Sequence, residues 1–136
     1  MPTPYSFKRN FVMNGNKWFL DTNIILYLLA GDTTLADLLD GSRLYVSVIT
    51  EMELLSYREL SENDRKIIRS FLSECKIIYI NHEIKEETVR IRTKFGIKLP
   101  DSIIAASAIY LDLPLLTADR DFSKIEQLDL VLYSKD

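Results

Sequence analysis

Short runs of β-branched and aromatic residues recur between helical stretches along most of the chain, and this alternation narrows the possible folds more than any other feature. KWFL (Lys17–Leu20), RLYVSVI (Arg43–Ile49), KIIYI (Lys76–Ile80), LLT (Leu115–Thr117) and LVLY (Leu130–Tyr133) read as strands. Between them, IILYLLAG is an apolar helix ended by Gly31, and Thr33 to Leu39 is a second short helix. Thr50 with Glu53 matches an S/T-x-x-E capping box opening a third. Ile67, Ile68, Phe71 and Leu72 mark a helix from about Ser61 to Glu74, and Ile84, Thr88, Ile91 and Phe95 mark one stopped by Gly96. Pro100 suits the first turn of a helix through SIIAASAIYL, apolar nearly all round and therefore buried. Phe122 to Gln127 reads as a helical turn or two. Strands alternating with helices predict an α/β fold, a parallel sheet of about five strands covered on both faces.

A chain of 136 residues, 47% hydrophobic and 27% charged, is long enough to bury one core and is read as a single domain. Cys75 and His82 are the lone cysteine and histidine, so neither a disulfide framework nor a Cys/His zinc site forms within one chain, and a reducing cytoplasm fits. The longest apolar stretches, such as Ile103 to Leu111, fall far short of the ~20 residues that span a bilayer. The first residues lack the apolar region and cleavage site of a secretory signal. Met13 stands four residues before the first strand, so the first twelve residues are expected to be an upstream extension or an overcalled start. Residues 1–16 are thus read as an extension, not native or poorly ordered, and 17–136 as the domain. Net charge is −3 with a pI near 5.2, against a broad basic nucleic-acid surface unless cations reverse the sign at an acidic site.

In open parallel sheets the binding crevice lies beyond the carboxyl ends of the strands. Asp21 follows the first strand, Glu53 lies in the first turn after the second, and Asp119 follows the fourth by one residue. Asp101 enters from the first turn of the helix leading into the fourth strand. Convergent carboxylates suit a hard cation such as Mg²⁺, and a cation so held supports in-line phosphodiester hydrolysis. Each acid also has a plain structural reading. Glu53 serves equally as a capping-box partner, Asp101 as a first-turn acid complementing the helix dipole, and Asp21 and Asp119 as loop acids. Thr22, Asn23 and Thr117 are short polar residues able to orient a carboxylate or to cap a helix, and Asp121 is a further acid beside Asp119. Glu51 is expected to point elsewhere, His82 to be solvated at a helix start, Cys75 and Met52 to fill the core, and the Lys/Arg runs on the helices to be solvated faces.

Taken in order, FLDTNIILYLL, VSVITEMELLS and LPDSIIAASAIYLDLPLLTADRDF resemble the PIN-domain ribonucleases, and within them the VapC-type toxins of bacterial toxin–antitoxin pairs. The resemblance runs from about Lys17 to the end and carries the family's four acids onto Asp21, Glu53, Asp101 and Asp119, with Asn23 and Thr117 on its polar positions. Many relatives have asparagine where Asp119 stands. The resemblance implies a three-layer α/β/α sandwich with strand order 3-2-1-4-5, Mg²⁺ or Mn²⁺ dependence, endonucleolytic cleavage of RNA, a homodimer and a cognate antitoxin. An acidic toxin suits a basic antitoxin tail, and exposed apolar residues on the helix from Asn23 to Leu29 and on the one starting at Thr50 are expected to form its groove.

A phosphatase of the haloacid dehalogenase type also places an acid after the first strand. It requires D-x-D, and position 23 is Asn. A receiver-like phosphoacceptor lacks its acidic pair and its lysine. A PIN-like binding or scaffold module without turnover is the remaining alternative.

Overall fold

The computed structural model describes residues 5–7 and 17–134. A six-stranded sheet forms the middle layer. Its strands are β1 (Tyr5–Phe7), β2 (Lys17–Leu20), β3 (Arg43–Ser47), β4 (Lys76–Ile78), β5 (Leu115–Thr117) and β6 (Leu130–Tyr133), in the order β1-β6-β5-β2-β3-β4. The five strands from β2 onward are all parallel, and counted alone they run 3-2-1-4-5, as the sequence resemblance implies. β1 pairs antiparallel with β6, so residues 5–7 of the expected extension form an edge strand.

Alternation along β2 explains the layers, because successive side chains of a strand point to opposite faces. Phe19 packs on one face with Ile84, Ile91, Ile104 and Leu115. Trp18 and Leu20 pack on the other with Ile24, Ile25, Leu35, Leu54 and Leu116. The first face is covered by α5 (His82–Phe95) and α6 (Leu99–Leu111). The second is covered by α1 (Thr22–Leu29), α2 (Thr33–Leu39), α3 (Val48–Leu55) and α4 (Glu62–Ser73). A short 3₁₀ helix, Arg120–Lys124, follows β5 in place of the expected turns from Phe122 to Gln127.

Local chemistry sets the ends of these elements. Ser61 and Asp64 form a reciprocal capping box on α4, Asn81 caps α5 by accepting from the Ile84 amide, and Gly96 ends α5 at φ 67, a left-handed conformation that glycine adopts without a Cβ clash. α6 is buried continuously from Ser102 to Ala108, as its apolar sequence predicts. It ends on Asp112 at φ 55, where an L side chain meets a steric cost.

Four local expectations are corrected. The second strand ends at Ser47 rather than Ile49, because the Ser47 hydroxyl accepts from the Ile49 amide and starts α3 two residues early. Thr50 and Glu53 therefore form no capping box; both lie inside the helix. Met52, expected in the core, is 50% exposed, since α3 turns Thr50 and Leu54 inward and Met52 falls on the opposite side. The third strand stops at Ile78, and Tyr79 and Ile80 are exposed beyond it. Cys75 is half-buried, its thiol bonded to the Phe71 carbonyl and pushed up to about 11 by burial and by Glu74. No helix among the described residues is long and apolar enough to cross a membrane.

Two substitutions should separate backbone strain from packing in urea unfolding. Asp112→Gly is expected to raise stability by about 0.5 kcal/mol, by removing the left-handed Cβ clash net of glycine's entropy. Leu116→Ala, in the centre of the sheet, is expected to lower it by about 2–5 kcal/mol. An unchanged midpoint for Leu116→Ala would contradict this packing.

Candidate active site

The parallel sheet changes direction at β2, with β3 and β4 added on one side and β5 and β6 on the other. Such a switch point leaves a crevice at the carboxyl ends of the central strands. Asp21 is the first residue past β2. It is only 5% exposed, and both of its oxygens are held. Oδ1 accepts from the Thr22 amide at 2.8 Å, making Asp21 the N-cap of α1. Oδ2 accepts from the Thr117 hydroxyl at 2.6 Å, a bond from the end of β5.

The other acids are placed around it by separate elements. Asp101 sits in the first turn of α6, half-buried, with Lys98 Nζ 3.7 Å from its Oδ2. Asp119 lies two residues past β5; its amide donates to the Thr117 hydroxyl at 3.0 Å, and its Oδ1 accepts from the Asp121 amide at 2.9 Å. Glu53 is exposed on α3, and its Oε1 accepts from the Thr22 hydroxyl at 2.8 Å. Thr22 also shares a 2.9 Å hydrogen bond with the hydroxyl of buried Thr50.

The carboxylates feel one another. Burial, together with the Asp21, Asp119 and Glu53 carboxylates, pushes Asp101 up to about 6, against the partial relief that Lys98 gives. Asp21 is also raised, chiefly by burial and then by Asp119 and Glu53, although its hydrogen bonds to Thr117 and Thr22 oppose the shift. Each acid destabilises its neighbours' charge. Such a cluster favours a cation.

All four sequence-predicted acids thus converge on one crevice. Thr22 and Thr117 stand among them through the bonds described above. Asp121 contributes its backbone amide while its side chain is exposed, and Asn23 is exposed on the first turn of α1, outside the hydrogen bonds that tie the acids together. Glu51 lines a separate cleft with Leu55, Arg69 and Leu72, and His82 is exposed at the start of α5. The sequence reading missed Thr50 as part of this cluster and assigned it to a cap. Ser47, three residues earlier and equally able to cap, was the competing signal.

Among the described residues no three Asp, Glu, His or Cys side chains are grouped to hold one metal ion as they stand. The donor set nonetheless fits a hard divalent cation. Its acids offer only oxygen, they repel one another, and Mg²⁺ is commonly held by one or two carboxylates with waters and substrate phosphates completing its shell. Buried Asp21 and half-buried Asp101 would be among its ligands.

A family model, the PIN domain, matches residues 18–128. The chain belongs to the PIN-domain family. That match spans positions 21, 53, 101 and 119 and bears out the family resemblance read from the sequence. No curated protein matches. Among solved structures, a toxin–antitoxin complex from Klebsiella pneumoniae is 32% identical with a TM-score of 0.70, over 81% of this chain and 93% of that one. VapBC2 of Rickettsia felis, bound to a promoter DNA fragment, is 25% identical with a TM-score of 0.73, over 84% and 96%. DNA-bound VapBC of Salmonella typhimurium, at 24% identity and a TM-score of 0.74 over 85% and 96%, shares the PIN fold.

The raised pKa of Asp101 fixes the sign of a pH effect. The folded chain retains a proton that the unfolded chain releases near its ordinary value of 3.8, so stability is full below that value and falls as pH rises towards about 6. In EDTA, Asp101→Asn is therefore expected to melt roughly 5 °C above the native chain at pH 7.5, with the gain shrinking as pH falls toward 4. An equal gain at both pH values would show that charge is not its cause.

Proposed function

We propose that this PIN-domain chain is a metal-dependent endoribonuclease, the toxin of a toxin–antitoxin pair, resident in the cytoplasm. The observation that carries the reading is the set of four mutually repelling carboxylates at the sheet's switch point, centred on buried Asp21 and half-buried Asp101. The likeness to toxin–antitoxin complexes supports the partner. Mg²⁺ or Mn²⁺ bound by Asp21, Asp101, Asp119 and Glu53 would supply Lewis acidity toward a phosphate and toward the attacking water.

The chain's own residues provide the positioning. Thr117 and the Thr22 amide hold both oxygens of Asp21, so its orientation is fixed before substrate arrives. The Asp121 amide does the same for Oδ1 of Asp119. Asp101 stands at the start of a helix buried along most of its length, which leaves little freedom to drift. Lys98, exposed beside Asp101, offers a positive charge at the rim to an approaching phosphate.

For the antitoxin, a groove lined by Leu26, Leu29, Tyr57, Leu60 and Ile67 offers an apolar seat. Its first wall is α1. Its second is α4 and the segment before it. Tyr79 and Ile80, exposed where β4 leads into α5, are the surface we assign to a homodimer contact.

The deciding assay is cleavage of total RNA by the purified chain in Mg²⁺ or Mn²⁺ and in EDTA. Discrete, metal-dependent fragments are expected, and Asp21→Asn and Asp101→Asn should each slow their appearance by about 100-fold or more while leaving the fold intact. No cleavage, or cleavage that survives in both variants, would favour a binding module without turnover.

A further inference from the structure

Hydroxyl side chains inside the helices of this protein mostly close on the carbonyl four residues back. Thr88 donates to Ile84, Thr93 to Val89, Ser102 to Lys98 and Ser107 to Ile103. Thr50 departs from this habit. Position 46 lies in β3, before the helix begins, and the Thr50 hydroxyl instead reaches across 28 residues of sequence to Thr22 at 2.9 Å.

Proton counting gives that contact a direction. A threonine hydroxyl has one proton to donate. The proton of Thr22 goes to Glu53 Oε1 at 2.8 Å. The Thr22–Thr50 bond must then run from Thr50 to Thr22. The chain of donors is Thr50 to Thr22 to Glu53, its origin fully buried and its end exposed.

We infer that Thr50 is a positioning residue whose buried hydroxyl aims the Thr22 proton at Glu53 and so holds this exposed acid in the cluster. Without the bond from Thr50, Thr22 is free to rotate and Glu53 to swing into solvent. With it, Oε1 is committed to Thr22 and the acid stays tied to the first turn of α1. Thr50 touches neither substrate nor cation and acts through Thr22 alone. The inference rests on the nuclease reading only in giving Glu53 a cation to meet.

The test uses the full, metal-free chain with Thr50→Val, which keeps the shape and removes the hydroxyl, Thr50→Ser, which restores it, Thr22→Val, and the double variant. The readout is the Glu53 side-chain carboxyl ¹³C resonance, assigned by its loss in Glu53→Gln. Thr50→Val is expected to move it in the same direction as Thr22→Val, Thr50→Ser to return it, and the double variant to move it no further than Thr22→Val alone. The same non-additivity should appear in calorimetric Mn²⁺ affinity, with a loss of about tenfold for each single variant. Thr50→Ala repeats the comparison if valine unfolds the chain. An unmoved resonance in Thr50→Val, or shifts that add in the double variant, would overturn the inference. A native chain that binds Mn²⁺ but cleaves no RNA would overturn the nuclease reading instead, with the resonance still deciding the role of Thr50.

Discussion

The rest of this structure depends on keeping a carboxylate, Asp21, almost out of water at the end of the central strand. Burying a charge without compensation is costly. Two hydrogen bonds offset part of the cost, one from the local backbone and one from a strand that enters almost a hundred residues later. The second can form only if β5 pairs directly with β2, through Phe19 with Leu115 and Leu20 with Leu116. Sheet order and the environment of one acid are therefore a single constraint. The other three acids add repulsion rather than relief, which makes the crevice a poor resting place for protein charge and a good one for a cation.

Much of this was legible in the sequence because the signals were redundant. The apolar runs and the helix periods agreed on a parallel sheet, and the acids fell where such a sheet opens a crevice. Asp21 and Asp119 needed only the strand ends on either side of the switch point, and Asp101 needed only Pro100 to mark a helix start. Partner choice was less legible. Ser47 and Thr50 are both hydroxyl residues at the approach to one helix, and which of them caps it depends on whether β3 ends at position 47 or 49. That boundary is set by pairing with β2 and β4, which a local pattern does not contain. Met52 was misplaced for the same reason, since its side of α3 follows from where the helix begins. The edge strand at residues 5–7 carried no periodic signal because a three-residue pairing leaves none.

The two faces of the sheet divide the work. On one, α5 and α6 pack closely, and α6 carries Asp101 at its entrance. On the other, α1 and α4 leave apolar side chains accessible between them while α1 begins at Asp21 itself. A molecule seated in that groove lies along a helix whose first turn is part of the acidic crevice. The groove and the carboxyl ends of the central strands thus share a helix only two turns long.

Asp21 performs two separable jobs, since one oxygen caps α1 and the carboxylate as a whole brings charge to the crevice. Asparagine is an equally good cap and an uncharged one. A single-base change in the codon can therefore abolish the charge while the helix, the sheet and the groove persist. A chain changed in this way would keep its fold and its groove while losing the charge at the centre of the crevice.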